Sequence, residues 1–281
     1  MFVIFLKNVA GNNARKLCTI SRGVIRLGSF PECWRSANIT AIPKGAPSPD
    51  RENYQPISIS PILSKVYEKL ICRKLSSFCE KYGLLPSAQF ACRKGLGCTG
   101  ARLAISHHLQ KSLDAGMESY IVHLDFSAAF DTVSHSGLLF KLKSISVGGS
   151  VVSICTEFLS DRRQRIVVDG AASKWIPLIS GVPQGTVFGP LLFILYTSEM
   201  FELVENRLFA YADDFTLLAA ILKPADRPAV ADSLNKDLTG IRLFCNQKCM
   251  ILNPNKTKAL FVTWSCLGFL SALVPTVTSL A

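Results

Sequence analysis

Hydrophobic positions along this chain change period several times, and each change marks an element. Residues 1 to 28 carry apolar side chains at helical spacing and end near Gly28. Asn38 to Ile42 predicts a short strand halted by Pro43, and Lys44 to Pro56, rich in Pro, Gly and Asp, predicts a loop. A helix follows from Ile62 to Lys81, with Leu63, Val66, Leu70, Leu75 and Phe78 as its apolar stripe and Gly83 as its stop. A second spans about Cys98 to Ala115, and both are expected to be scaffold.

Tyr120 to Phe126 is a β-rich run with Asp125 near its end, followed by amphipathic helical pieces from Ser136 to Ser160. Arg165 to Asp169 and Lys174 to Ile179 predict a hairpin around Gly170. The turn Gly181-Val182-Pro183-Gln184-Gly185 leads into an apolar helix from Pro190 to Met200. Leu208 to Ala210 and Phe215 to Ala220 flank Tyr211-Ala212-Asp213-Asp214, a hairpin with two carboxylates at its tip. A helix from Pro228 to Gln247 and a strand from Ala259 to Val262 complete the series. Strands and helices interleave without internal repeats, which implies a layered α/β or α+β fold.

At 281 residues and 49% hydrophobic content the chain can bury a substantial core. Lys and Arg number 31 against 20 Asp and Glu, a formal charge of +11 that suits a polyanionic partner without demanding one. The ten cysteines contain no CxxC pair, and the four histidines lie far from Cys245 and Cys249, the closest two. They are expected to be reduced, mostly buried thiols of an intracellular protein, in nucleus or cytoplasm, with no zinc site. The apolar opening Met1 to Leu6 is cut short by Lys7 and has no basic stretch before it, and no run of about 18 apolar residues predicts a membrane span.

The carboxylates carry the candidate chemistry. A turn favours Asp, which accounts for Asp213-Asp214 taken alone. If the runs ending at Asp125 and flanking Asp213 are adjacent strands, three carboxylates meet, and like charges about 4 Å apart repel by about 4 kcal/mol at an effective dielectric of about 20. A hard divalent cation such as magnesium suits oxygen donors of this kind. A pair of such ions would support phosphoryl chemistry, and spacing alone leaves polymerase, phosphatase and nuclease open.

Four segments in order narrow the field. Asp125-Phe126-Ser127-Ala128-Ala129-Phe130-Asp131, then Gly181 to Leu191, then Tyr211-Ala212-Asp213-Asp214, then Leu252-Asn253-Pro254-Asn255-Lys256-Thr257 resemble the successive palm motifs of reverse transcriptases of the non-long-terminal-repeat retrotransposon type, the LINE or jockey-like group. Upstream, Phe30 to Arg35, Ile42-Pro43-Lys44, Asn53 to Ser58 and Gln89 to Gly95 resemble the fingers of that family, so the likeness covers about residues 25 to 262.

The resemblance implies a right-hand polymerase palm, an α+β antiparallel sheet backed by helices, with helical fingers. It implies RNA-directed DNA synthesis, in which dNTPs are added to a primer 3′-hydroxyl with two Mg2+ ions, Mn2+ being the alternative. Asp125 and Asp213 would hold both metals, Asp214 would assist, and Phe126 would lend its carbonyl. Phe130 would exclude a 2′-hydroxyl, although it otherwise reads as a core aromatic. Gln184 and Gly185 would contact nucleotide and template, Lys256 would lie near the leaving pyrophosphate, and Arg93 and Lys94, with Lys44, would contact triphosphate or template backbone. Tyr211 and Ala212 would face primer and template. His123 reads as a packed or partly exposed histidine.

This sequence departs from the family in several places. Gln55 stands where Arg is usual, Ala91-Cys92 replaces Gly-Phe, Leu96-Gly97-Cys98 replaces Arg-Ser-Thr, and Phe244 and Lys248 take positions where tryptophan is frequent. Residues 1–29 are expected to be a helical extension, 30–118 fingers, 119–262 palm and 263–281 an atypical tail. The thumb is expected to be absent or truncated, and thumb and endonuclease modules are expected in a full-length relative. RNA template, DNA primer and dNTPs are the expected partners, with no membrane. The competing reading is a catalytically inactive nucleic-acid-binding remnant of a mobile element.

Overall fold

A computed structural model describes residues 2–46, 48–50, 53–264 and 266–269. The chain divides into two compact units, Met1–Lys81 with His135–Leu192, and Tyr82–Ser134 with Phe193–Ala281. Among the described residues no helix is long and apolar enough to cross a membrane.

The first unit opens with α1 (Phe2–Leu27). Gly28 ends it at φ 63°, where its N–H bonds to Ile25 O and the next N–H bonds to Val24 O. A side chain there would press on Ser153 Cβ at 3.0 Å, so glycine is favoured both by conformation and by space. Strands β1 (Ser36–Pro43) and β2 (Tyr54–Ile59) pair antiparallel from Asn38↔Ile59 to Pro43↔Tyr54. The predicted loop therefore ends three residues earlier than its composition suggested. Pro56 is tolerated because β2 is an edge strand, where a missing N–H need not break a ladder.

Helix α2 (Ile62–Lys81) forms as predicted but buries a different face, carrying Ser64, Tyr67, Glu68, Ile71, Leu75 and Cys79, while Val66 is exposed. Counting hydrophobic positions missed that face because two of its members are polar and satisfied internally. Phe30 is the centre of the aromatic core, with its ring 5.7 Å from Trp34, 5.9 Å from Tyr67 and 5.3 Å edge-on to Phe158, which in turn meets Phe188 at 5.3 Å. Arg35 bonds the Phe30 carbonyl at 3.0 Å and pairs with Glu157.

The predicted helical stretch after Ser136 is two helices, α4 (His135–Ser144) and α5 (Gly149–Leu159), with α3 (Cys98–Asp114) belonging to the second unit. Adjacent glycines 148 and 149 account for the break between them. Strand β5 (Arg163–Val168) runs parallel to β1, Ser36↔Arg163 to Ile39↔Ile166. It then turns tightly through Asp169 and Gly170, both at positive φ, into β6 (Ala171–Ala172), and β7 (Ile176–Pro177) returns to the start of β5.

Helix α6 spans Gly189–Tyr196, shorter than its apolar run suggested. Thr197 and Ser198 hydroxyls bond back to Phe193 O at 3.1 Å and Leu195 O at 2.9 Å, and a 3₁₀ turn over Ser198–Glu202 follows.

In the second unit β3 (Glu118–Leu124), β8 (Arg207–Tyr211), β9 (Asp214–Ile221), β11 (Lys258–Thr263) and β12 (Cys266–Phe269) form one antiparallel sheet in the order β12-β11-β3-β9-β8. The predicted tail from Thr263 thus begins with sheet, and residues 270–281 lie outside the described residues. Two short strands, β4 (Phe126–Ser127) and β10 (Ile251–Leu252), pair with each other. Helices α3 and α7 (Arg227–Gln247) pack on the large sheet. Buried Asp237 of α7 accepts Glu205 N–H at 2.9 Å and Asn206 N–H at 3.0 Å, which anchors the approach to β8.

Of the nine cysteines whose side chains are described, all free, only Cys79, Cys155 and Cys245 are buried, which corrects the expectation of mostly buried thiols. Burial pushes the Cys79 thiol up to about 11 and Cys245 up to about 12, so these behave as small apolar side chains.

Candidate active site on the large sheet

Asp125 is the first residue beyond β3, and Asp214 opens β9. The register Leu124↔Phe215, continued by one step, sets Asp125 opposite Asp214. Tyr211↔Asp214 closes the β8–β9 hairpin with Ala212 and Asp213 at its tip. All three carboxylates therefore arise at one edge of one sheet, because β3 and β9 are neighbours.

Burial holds the Asp213 carboxyl above the usual Asp range, and Asp214 and Asp125 push it further in the same direction, opposed by a backbone hydrogen bond. Desolvation with like charges around it makes the group an electrostatic host for a cation. Among the described residues no group of three or more His, Cys, Asp and Glu side chains stands converged as a preformed ion cage. The backbone positions and the hard oxygen donor set nevertheless fit a divalent cation, which needs only one or two carboxylates together with substrate phosphates.

The hairpin tip is held from outside. Ala212 takes φ 57°, a left-handed conformation that costs a non-glycine residue on the order of 1 kcal/mol. Gln89, 0% exposed, compensates by accepting Ala212 N–H on Oε1 at 3.1 Å and placing Nε2 3.4 Å from Ala212 O, while the same Oε1 accepts Ala91 N–H at 3.0 Å. The flanking backbone joins β8 through Phe90 N–H to Ala210 O and Ala210 N–H to Ala88 O, both 2.9 Å. Gln89 opens the Gln89 to Gly95 segment, whose family likeness assigns it no task of its own. Its signal is an uncharged polar residue set between the apolar Ala88 and Phe90.

Asp125 is anchored through its backbone. Its N–H donates to Thr257 Oγ1 at 3.3 Å and its carbonyl accepts Asn253 N–H at 2.8 Å. Thr257 Oγ1 donates to Asn253 O at 2.8 Å, and Asn253 Oδ1 caps the turn by accepting from Asn255 and Lys256 N–H. Lys256 is exposed on that turn. The Leu252 to Thr257 segment is thus a clamp on the Asp125 strand end.

Phe126 is buried with its ring edge-on to Phe215 at 5.4 Å, and its backbone pairs with Leu252. A turn at Ala128, φ 49°, brings Phe130 round to stack on Phe193 at 4.5 Å and 33°, leaving Phe130 partly exposed. Tyr211 and Ala212 are partly exposed at the hairpin. His123 Nδ1 lies 3.0 Å from Thr216 Oγ1, and desolvation lowers its pKa against the pull of Asp214. Arg93 donates to Pro86 O at 2.7 Å and Gln89 O at 3.3 Å, while Lys94 is exposed.

Gln184 and Gly185 belong to the first unit. Gln184 O accepts Ser58 N–H at 2.8 Å, and Gln184 Oε1 accepts from Gln55 Nε2 at 3.3 Å. Gly185 at φ 91° lies so close to β2 that a Cβ would stand 2.9 Å from Ser58 O. Lys44 N–H bonds Asn53 O at 2.8 Å across the β1–β2 connection.

Comparison with known proteins agrees with this layout. The family model described as reverse transcriptase (RNA-dependent DNA polymerase) matches residues 42–270. The chain is 31% identical over 250 residues to the probable RNA-directed DNA polymerase from transposon BS of Drosophila melanogaster, covering 86% of this chain and 27% of that protein. It is 32% identical over 211 residues to the RNA-directed DNA polymerase from mobile element jockey of the same species, covering 72% and 23%. A probable polymerase from transposon X-element is 34% identical over 202 residues, covering 69% and 22%. The chain therefore spans about a quarter of the length of the curated relatives it matches.

Among solved structures, an apo telomerase from Candida tropicalis, truncated from its C-terminal domain, superposes with TM-score 0.58 at 15% identity, covering 83% of this chain and 51% of that one. A telomerase from Candida albicans gives 0.53 at 14% identity, covering 86% and 45%. These likenesses establish the right-hand polymerase fold in its mixed α+β form. With strand-end carboxylates, an externally held hairpin and a matching family model over most of its length, this chain belongs to the reverse transcriptase family, in its non-long-terminal-repeat retrotransposon branch.

Proposed function

We propose that the chain is the polymerase core of a retrotransposon enzyme that copies an RNA template into DNA by adding dNTPs to a primer 3′-hydroxyl. The observation that carries this reading is Asp125, Asp213 and Asp214 at one edge of adjacent strands β3 and β9, with Asp213 desolvated among like charges. Two Mg2+ ions, or Mn2+ in their place, held by Asp125 and Asp213 with help from Asp214 and the Phe126 carbonyl, would supply Lewis acidity for in-line displacement at phosphorus.

The protein's own residues bind and orient the reactants. The Phe130 ring, braced on Phe193, bars a 2′-hydroxyl from the sugar site by bulk. The Gln184–Gly185 turn offers backbone at close approach to the incoming nucleotide and template. Lys256, exposed on the clamp behind Asp125, holds a proton for the departing pyrophosphate. Tyr211 and Ala212 face the primer and template, and Lys94 lies in the adjoining charged loop.

In this reading residues 30–118 act as fingers and 119–262 as palm, with the basic surplus of +11 serving the nucleic acid.

A second reading is a nucleic-acid-binding remnant without catalysis. Gln55 favours it, since a neutral amide bonded to Gln184 stands where the family's usual arginine would grip phosphate. Primer extension on an RNA template with magnesium separates the two. The enzyme reading expects template-dependent product that vanishes in Asp213→Ala and Asp214→Ala. Binding of primer–template without any extension would select the remnant.

A further inference from the structure

The turn that precedes helix α6 takes part of its hydrogen bonding from far away in sequence. Glu68, 2% exposed on α2, accepts Val187 N–H at 2.7 Å and Phe188 N–H at 3.2 Å on Oε2, while Oε1 accepts the Ser64 hydroxyl at 2.7 Å. Every carboxylate oxygen thus has a donor, and both backbone donors lie two and three residues beyond Gly185. On the other side of the same segment Ser58 N–H holds Gln184 O at 2.8 Å.

Within the turn, Thr186 Oγ1 donates to Pro183 O at 2.7 Å and accepts Gly189 N–H at 3.2 Å. The turn is therefore fixed at both ends, by β2 through a backbone bond and by α2 through a buried charge. Arg162, 3% exposed, is buried in the same unit, and burial lowers its pKa to about 10 against the favourable influence of Glu68. Arg162 is itself held by Phe158 O at 3.0 Å.

We propose that Glu68 is a positioning residue for nucleotide selection and incorporation, acting through the Val187 and Phe188 amides to set the Gln184–Gly185 turn, a role that rests on the function proposed above. A buried carboxylate is costly to keep unless fully bonded, and here Ser64 satisfies one oxygen while the other is directed at this one loop. Sequence periodicity hid Glu68 because an acidic residue on a helix reads as solvent-facing.

The test uses the full chain with Glu68→Leu, Glu68→Gln and Ser64→Ala. Glutamine keeps an oxygen for both amides and offers its NH2 to the Ser64 hydroxyl, which can accept, whereas leucine orphans two N–H groups. Glu68→Leu is expected to raise KM for dNTP by roughly tenfold or more, with a smaller loss of primer–template affinity. Glu68→Gln recovers most of that loss, and Ser64→Ala shows a smaller rise in the same direction.

A merely structural role would reduce product per total protein at unchanged KM in all three variants, and that result overturns the proposal. Hydrogen exchange at Val187 and Phe188 gives a readout that does not need catalysis. Protection should fall in Glu68→Leu and persist in Glu68→Gln. If leucine prevents folding, Ser64→Ala decides on the same two measurements. Absence of product from the unsubstituted chain would reject the polymerase reading instead, and unchanged amide protection in every variant would reject the role of Glu68 whatever the activity.

Discussion

Gln89 Oε1 accepts the N–H of Ala212 at 3.1 Å, so the left-handed tip of the carboxylate hairpin is held by a side chain 123 residues earlier in the chain. Replacing Gln89 with Leu orphans the Ala212 and Ala91 amides. Stability should fall by about 1–3 kcal/mol and kcat by roughly tenfold to a hundredfold, as Asp213 loses its fixed backbone. Denaturant unfolding and primer extension on the same preparation check both.

Asp213→Asn keeps the shape of the side chain and removes its charge. Synthesis should drop on the order of a thousandfold or more. In metal-free buffer the same variant should melt higher than the parent, because a desolvated carboxylate repelled by Asp125 and Asp214 has been neutralised. Calorimetry with and without magnesium reads the effect, and a lower melting temperature without metal would contradict it.

Gly185→Ala puts a methyl 2.9 Å from Ser58 O at a φ of 91°. A destabilisation of about 1–3 kcal/mol is expected, together with a raised KM for dNTP. Alanine at Gly45, where nothing lies within 4 Å, is the matched control and should change neither.

Phe130→Val thins the ring stacked at 4.5 Å on Phe193 without emptying the site. Use of ribonucleotides relative to deoxynucleotides should rise by roughly tenfold to a hundredfold, measured as the ratio of kcat/KM values. If Phe130 is only a packing residue, stability falls and the ratio stays fixed.

Glu118 pairs with Arg227 at 2.6 Å, and the guanidinium holds its carboxyl below the usual Glu range. A depressed acid contributes stability that is present above its unfolded value, about 4.3, and is lost as pH falls through the lower folded value. The gap in melting temperature between the parent and Glu118→Gln should therefore be full near pH 6 and close in strongly acid buffer.

Much of the large sheet was legible because its strands are continuous apolar runs and its carboxylates interrupt them at turns. Asp125, Asp213 and Asp214 stood out for that reason. The short pair β4–β10 was not legible, since two-residue strands carry no periodicity. Tyr54–Ile59 was partly obscured by Pro56, which only an edge position permits. The buried face of α2 was misread because Ser64 and Glu68 look solvent-facing until Val187 and Phe188 are seen to need them. The guanidinium of Arg93 also bonds the carbonyls of Pro86 and Gln89, a local task that charge alone does not reveal.

The parallel pairing of β1 with β5 carries a consequence for biogenesis. Arg165 Nε reaches Asn38 Oδ1 at 2.9 Å across 127 residues, so the interior edge of β1 has no neighbour until the ribosome has passed Ile166. During that interval the β1–β2 ribbon is a nascent two-stranded hairpin with an open side, the kind of intermediate that chaperones cover and that mispairs between polysomal neighbours. Slowing translation between Pro43 and Arg163 should therefore lower the yield of native chain more than slowing it after Ile166.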